Sequence, residues 1–146
     1  GYDISLDILG IGLREKELKD LAVSLGIEKY VNFRGFVSNP YPYIKNADLF
    51  CLTSESEGYP MVVAEALITG TPVLSTRVNG VTEMLSRGGG IIVEGKADVI
   101  AGEIKDIIDN PQKLKKLKEE TRQSAKQFDL KTTVSQIEAF ITPRKN

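Results

Sequence analysis

The chain has 146 residues and a formal net charge of −1, with 19 Lys and Arg against 20 Asp and Glu, so its charge does not indicate nucleic acid as a partner. It has no histidine, which excludes the usual general base and the commonest metal ligand, and its single cysteine, Cys51, lies in an apolar run and is expected in the core. No apolar run approaches the roughly 20 residues of a membrane span, so we expect a soluble, cytoplasmic protein whose catalysis uses carboxylates or groups outside the chain.

Short apolar runs separated by turns that contain glycine or proline predict five strands. The run at residues 31–37 alternates apolar and polar side chains, whereas the run at residues 47–52 is typical of a strand that is buried on both faces. The predicted strands are residues 4–9, 31–37, 47–52, 72–74 and 91–93.

Apolar residues at helical spacing predict helices between and after these strands. Gly26 and Gly70 are placed to end two of them, and Pro111 suits a first helical position. Two prolines restrict residues 38–43 to a turn or a short helical start, and the glycines at 88–90 indicate a flexible turn. The predicted helices are residues 15–25, 61–69, 81–85, 97–108, 112–128 and 132–141.

Strands that alternate with helices predict an α/β fold with a Rossmann-like, mainly parallel sheet and helices on both faces. A length of 146 residues suits one domain, so we expect residues 1–146 to form a single lobe. The lysine-rich residues 113–118 are interrupted by leucines and are expected to form a solvent-facing side of a helix.

Residues 53–76 form the candidate site, because they join two predicted strands through a polar loop and a helix. Ligands of such βαβ units bind outside the carboxyl ends of the strands. The free backbone N–H groups of Met61 and Val62 can hold a phosphate at the start of the helix. Glu65, about one turn further, can bind the two hydroxyls of a ribose, and Glu57 lies on the loop that faces whatever the phosphate carries.

Each of these signals also has a plainer explanation. Glu57 fits a polar loop, and Glu65 fits the first turn of a helix through the helix dipole. The G-x-G of Gly10 and Gly12 lacks the third glycine of a dinucleotide fingerprint, and a tight turn accounts for it. Gly80 can be a loop glycine that permits a positive φ.

Taken together, the motifs resemble the C-terminal lobe of the retaining glycosyltransferases of family 4, which have the GT-B fold. The resemblance runs from Leu6 to about Phe140 and includes the E-x7-E pair of Glu57 and Glu65. The other segments that carry it are L-D-I-L-G-I-G-L-R-E-K-E-L, V-N-F-R-G-F-V-S-N, A-D-L-F-C-L-T-S-E-S-E-G-Y-P, E-A-L-I-T-G-T-P-V-L-S-T and N-G-V-T-E.

The resemblance implies a glycosyltransferase lobe that binds a nucleotide diphosphate sugar, linked to UDP or GDP. The sugar would pass with retained configuration to an acceptor such as a growing glycan or a lipid-linked glycan, in polysaccharide biosynthesis. The competing interpretation is a noncatalytic Rossmann-like module for nucleotide binding or interaction. The intact pair of Glu57 and Glu65 favours the transferase, whereas the lack of an acceptor lobe favours the module.

The resemblance also implies a role for each matching residue. Glu57 would contact the sugar hydroxyls as the catalytic carboxylate, and Glu65 would hold the ribose. Pro60 has no N–H and cannot supply an amide contact, and Asn79 stands where many members have a second glycine. The remaining donor-binding positions that it implies are Gly58, Tyr59, Pro60, Met61, Val62, Val37, Gly10, Gly12 and Gly80.

Partners outside the chain follow from the same resemblance. The family's lobe normally begins with a further βα unit, whose arginine and lysine neutralise the diphosphate, and it works with an N-terminal acceptor lobe of the same enzyme. The resemblance also implies an enzyme that works without a bound metal. The arginine and the lysine would then neutralise the charge of the leaving group. We therefore expect no cofactor, no transferase activity in the isolated chain, and possible peripheral membrane association of the full enzyme.

The absent unit would leave a gap between the predicted strands at residues 4–9 and 47–52. Unpaired strand edges in an apolar setting are costly. We expect one of three outcomes: direct pairing of the two strands, a strand from another copy in the gap, or a poorly folded isolated chain. The third is the one we favour, because closing the gap would shift helices on both faces.

Overall fold

The computed structural model describes residues 2–128. Its backbone falls into two compact units, one within Gly1–Tyr43 and one within Ile44–Asn146. We refer to residues 2–43 as the N-terminal unit and to residues 44–128 as the C-terminal unit, and the single lobe over residues 1–146 stays a prediction. The helix predicted at residues 132–141 lies outside the described residues.

The N-terminal unit is built on a pair of parallel strands. Leu6 lies opposite Val31 in this pair, and the register shifts between Ile8 and Leu9. The helix between the strands is supported by exposed ion pairs four residues apart, Lys19 with Glu15 among them. Its elements are β1 (Leu6–Leu9), α1 (Glu15–Ser24), a 3-10 helix (Glu28–Tyr30) and β2 (Val31–Gly35).

The C-terminal unit contains a three-stranded parallel sheet in the order β3-β4-β5. Val73 in the central strand lies opposite Phe50 on one side and Gly90 on the other. Helix α2 (Tyr41–Asn46) leads into this unit. Its further elements are β3 (Phe50–Leu52), α3 (Met61–Thr69), β4 (Val73–Thr76), α4 (Val81–Met84), β5 (Gly90–Val93), α5 (Ala97–Asp109), α6 (Pro111–Ser124) and a 3-10 helix (Ala125–Phe128).

The core of the C-terminal unit lies around α3 and β4. All four residues of β4 are buried, as a central parallel strand requires. Helix α3 is mostly apolar and buries four of its nine residues, so one side of it packs into the core while others stay exposed. The buried cluster consists of Ile44, Val63, Ala66, Leu67, Val73, Val78, Val81, Met84 and Leu85.

The glycines at residues 88–90, predicted as a flexible turn, form a packing site for α6. The Ser124 hydroxyl donates a hydrogen bond to the Gly88 carbonyl at 2.7 Å, and the Thr121 hydroxyl lies 3.3 Å from the Gly89 carbonyl. A Cβ atom at position 89 would lie 2.8 Å from the Thr121 Cα. Close backbone approach, in addition to turn geometry, therefore explains a glycine at position 89.

The α/β class is confirmed, with parallel strands flanked by helices. Helix α3 begins at Met61 and ends before Gly70, as predicted. The stretch with two prolines forms α2, because a proline in the first turn of a helix does not cost a hydrogen bond. Among the helices of residues 2–128, none has the length and apolar character needed to cross a bilayer.

The prediction that Cys51 lies in the core is wrong, since its side chain is exposed. Strand β3 is at the edge of its sheet, and side chains alternate between the two faces of a strand. Phe50 and Leu52 pack against the core, and Cys51 points to the opposite face. An apolar run by itself does not reveal that only one face of a strand is covered.

Candidate functional site

The loop at residues 53–60 connects the carboxyl end of β3 to the first turn of α3. Pro60 is buried and directly precedes the helix, so its fixed φ of −75° sets the direction in which the helix begins. In parallel sheets, ligands bind outside the carboxyl ends of the strands. The loop therefore presents its side chains on the side of the C-terminal unit where a ligand is expected.

The Glu57 carboxylate is half-buried on this loop and already has a hydrogen-bond partner. The Ser54 hydroxyl donates to Glu57 Oε1 at 2.7 Å. The Ser54 carbonyl in turn accepts a hydrogen bond of 2.6 Å from the hydroxyl of Thr76, the last residue of β4. The carboxylate is thus connected to the central strand of the sheet through two hydrogen bonds.

Glu65 lies on the second turn of α3 and is half-buried. Its carboxylate forms no hydrogen bond or ion pair with any of the residues from 2 to 128. Both of its oxygens therefore remain available to accept hydrogen bonds from a ligand. Its position one turn into the helix is the predicted one.

The first turn of α3 offers two backbone donors. Val63 donates its N–H to the Pro60 carbonyl at 2.9 Å, whereas the N–H groups of Met61 and Val62 have no backbone acceptor in the described part of the chain. Met61 and Val62 are both exposed residues, 59% and 38% respectively. Free amides at the positive end of a helix dipole form an anion-binding site.

The loop after β4 touches the loop before α3 at Gly80. This glycine has a φ of +80°, and a Cβ atom added to it would lie 2.9 Å from Tyr59 Cδ2 and 3.5 Å from Pro60 Cδ. A larger residue would displace the Tyr59 ring. Gly80 thus contributes to the candidate site by permitting this contact, while Gly58 faces open space.

Two cavities border the loop at residues 53–60. One, of about 330 Å³, lies at the carboxyl ends of β3, β4 and β5 and includes Ser54 and Arg77 in its lining. The other, of about 470 Å³, runs along α3 from Tyr59 and Met61 to Phe128. Within the part of the chain that the structure describes, no three His, Cys, Asp or Glu side chains gather as metal ligands would.

The predicted site residues of the N-terminal unit lie at the carboxyl ends of its two strands. Gly10, with a φ of +114°, follows β1 and donates its N–H to the Gly35 carbonyl at 2.7 Å. Gly12 is exposed, and Val37 is half-buried two residues after β2. The structure therefore gathers Gly10 and Val37 at one end of β1 and β2, and the carboxylates with the α3 amides in the C-terminal unit.

Sequence reasoning missed Ser54, which donates a hydrogen bond to Glu57, and Thr76, which donates one to the Ser54 carbonyl. Ser54 stands three residues before Glu57, a spacing that allows a side-chain contact across a turn and was the one available signal. Thr76 is 22 residues from Ser54 in the chain. No local pattern connects those two positions.

A family model described as "Glycosyl transferases group 1" matches residues 1–124. Among curated proteins, the chain is 26% identical to an uncharacterized glycosyltransferase of Haemophilus influenzae, a match that covers 95% of this chain and 40% of that protein. It is 33% identical to the lipopolysaccharide core biosynthesis glycosyltransferase LpsE of Rhizobium meliloti, over 72% of this chain and 32% of LpsE. The chain thus spans two fifths or less of the length of these relatives.

Solved structures also resemble the chain. Anabaena HepE in complex with UDP matches with a TM-score of 0.83 and 25% identity, over 94% of this chain and 40% of HepE. HepE has also been solved with UDP-glucose, and that structure matches with a TM-score of 0.82. WaaG, a glycosyltransferase of lipopolysaccharide biosynthesis, matches with a TM-score of 0.77 at 20% identity, which shows the shared fold.

Proposed function

The chain belongs to the group 1 glycosyltransferases, and from that membership we propose that it is the donor-binding part of an enzyme that transfers a sugar from a nucleotide diphosphate sugar. The observation that carries the proposal is the joint placement of two carboxylates and two free amides on one loop and the helix after it. These groups match three of the four parts of such a donor, namely the sugar, the diphosphate and the ribose, and leave out the base.

The diphosphate would bind at the start of α3. The N–H groups of Met61 and Val62 are the donors without backbone acceptors, and the helix dipole adds positive potential there. Two amides do not neutralise a diphosphate by themselves. In the proposal, cations from another part of the full-length enzyme stabilise the charge that develops on the leaving group, and no metal ion is required.

Glu65 would bind the ribose, and Glu57 would bind the sugar. Glu65 lies one turn beyond the amides and has no partner for its carboxylate among residues 2–128, so it could bind the two ribose hydroxyls as the acidic residue of dinucleotide folds does. Glu57 precedes the amides in the chain whereas Glu65 follows them, and we assign it to the group at the other end of the diphosphate, the sugar. There its carboxylate would accept hydrogen bonds from the sugar hydroxyls and stabilise the transition state.

Two further features of the reaction belong to the proposal. The transfer retains the configuration of the sugar, as the E-x7-E pair of Glu57 and Glu65 suggests. The acceptor is a growing glycan or a lipid-linked glycan, which the similarity to LpsE supports. The acceptor would bind to a separate N-terminal lobe, in keeping with the larger size of the relatives.

The proposal is tested with the full-length enzyme by calorimetric titration with UDP, GDP and uridine, followed by a transfer assay with the sugar nucleotide that binds. We expect one nucleoside diphosphate to bind and its sugar to be transferred. Glu57→Ala should lower turnover by about 100-fold or more, as expected for a positioned catalytic group, while nucleotide affinity changes by less than about twofold.

The matched control is Glu119→Gln, which alters an exposed carboxylate on α6 and should change neither quantity. Nucleotide binding without transfer by the full-length enzyme would favour the noncatalytic module. Loss of nucleotide affinity in Glu57→Ala would contradict the role given to Glu57.

A further inference from the structure

We propose that Ser54 is a positioning residue that orients the Glu57 carboxylate and is itself held in place by Thr76 at the end of β4. The inference rests on the proposed function, because it needs Glu57 to act on the donor sugar. It adds two residues to the site that have no contact with the donor in the proposal above.

Ser54 and Glu57 are joined by a hydrogen bond. The Ser54 Oγ donates to Glu57 Oε1 at 2.7 Å, a good distance for a hydroxyl and a carboxylate. Among residues 2–128, no Lys or Arg forms an ion pair with Glu57, and Oε2 has no hydrogen-bond partner. One oxygen is therefore fixed by the protein, and the other remains free for a ligand.

Ser54 is itself held in place by a hydrogen bond from Thr76. The Thr76 hydroxyl lies 2.6 Å from the Ser54 carbonyl and 3.4 Å from the Leu52 carbonyl. A hydroxyl has one proton, so the shorter contact is the principal hydrogen bond. Thr76 is only 5% exposed and ends the central strand of the sheet. The backbone at Ser54 is thus tied to the buried central strand of the C-terminal unit.

The hydrogen bond from Ser54 restricts the conformations of the Glu57 side chain. A free glutamate side chain samples many rotamers, and ordering it on ligand binding costs conformational entropy. Because Ser54 binds Oε1, part of this ordering is in place before the donor arrives. Catalysis depends on such preorganisation of the groups that meet the transition state. Within the described residues 2–128 Glu65 has no comparable donor, so the two carboxylates differ in the partners that this part of the chain gives them.

The two hydrogen bonds that connect Thr76 to Ser54 and Ser54 to Glu57 predict a specific kinetic pattern in the full-length enzyme. Ser54→Ala should lower kcat tenfold or more, with the affinity for the free nucleotide changed by less than twofold. Ser54→Thr keeps the hydroxyl and should recover most of kcat. Thr76→Val removes the anchor while keeping the volume and should lower kcat in the same direction, with recovery in Thr76→Ser. Thermal unfolding of each variant verifies that it is folded.

The decisive comparison is a double-mutant cycle with Glu57→Ala. If Ser54 acts through Glu57, adding Ser54→Ala to Glu57→Ala causes no further loss of kcat, whereas a merely structural role for Ser54 would lower kcat in both backgrounds. An equal loss in both backgrounds, or an unchanged kcat in Ser54→Ala, overturns the inference. If Ser54→Ala does not fold, the same cycle with Thr76→Val decides it.

The proposed function fails in a different way. In that case Glu57→Ala alone leaves transfer intact, or the unmodified enzyme shows no transfer. If transfer is impaired in Glu57→Ala but not in Ser54→Ala, the positioning role of Ser54 is contradicted. The proposed function is then still supported.

Discussion

Glu57 and Glu65 differ in the partners that the folded chain provides. Ser54 donates a hydrogen bond to Glu57, whereas Glu65 is half-buried on α3 and none of residues 2–128 donates to its carboxylate oxygens. A carboxylate without a partner in a partly buried position is ready to bind a ligand with donor groups. The vicinal hydroxyls of a ribose are such donors.

For this reason Glu65→Gln should weaken nucleotide binding in the full-length enzyme. The loss of a hydrogen bond to a charged group costs about 1.5–3 kcal/mol, which is roughly a tenfold to hundredfold rise in Kd. Calorimetric titration with the nucleotide that binds measures this change, and Glu119→Gln serves as the control. An unchanged Kd for Glu65→Gln would remove this residue from the site.

At the scale of the elements, α6 packs on the glycines that precede β5. The hydroxyls of Thr121 and Ser124 face the carbonyls of Gly89 and Gly88 there. Gly89 also has a φ of +87°, which L side chains rarely adopt. The start of β5 is thus packed against α6, through residues that lie 32 and 36 positions apart in the chain.

A methyl group at position 89 should therefore disrupt this packing. Its Cβ would lie 2.8 Å from the Thr121 Cα and 3.0 Å from the Leu67 Cδ2, so Gly89→Ala should destabilise the protein by about 2 kcal/mol or more. The matched control is Gly102→Ala in α5, where a Cβ meets nothing within 4 Å and should add about 0.5–1 kcal/mol of stability. Denaturant unfolding measures both changes, and equal effects would contradict the packing argument.

The bounds of α3 could be predicted because Pro60 and Gly70 stand at its two ends and no glycine or proline interrupts the mostly apolar residues between them. The α/β class followed from the alternation of patterns in the same way. Burial of Cys51 was predicted wrongly, since exposure depends on which faces neighbouring elements cover. The hydrogen bonds of Thr76 with Ser54 and of Ser54 with Glu57 depend on three-dimensional placement, and sequence patterns carry little of that information.

At the scale of the whole molecule, the N-terminal unit leaves apolar side chains uncovered. Ile4, which precedes β1, and Leu6, in β1, are 51% and 49% exposed, and Leu21 on α1 is 52% exposed. Within residues 2–128, β1 pairs with β2 on one edge and has no strand on its other edge. Exposed apolar surface next to an open strand edge promotes association with other chains.

We therefore expect further polypeptide of the full-length enzyme to cover β1. Hydrogen exchange of the β1 amides should be slower in the full-length enzyme than in a chain of residues 1–146 alone, and the shorter chain should show no sugar transfer. Equal protection of β1 in both proteins would contradict this expectation, as would transfer by residues 1–146.

In the proposed site, a nucleoside diphosphate binds with its phosphates at the first turn of α3. Amide chemical shifts of the full-length enzyme, measured by NMR during titration with UDP and separately with uridine, test it most directly, with GDP and guanosine used if GDP is the nucleotide that binds. We predict large shifts of the Met61 and Val62 amides with the diphosphate and small ones with the nucleoside, because the nucleoside lacks the anion that these N–H groups bind. Unshifted Met61 and Val62 amides at saturating diphosphate would contradict the account.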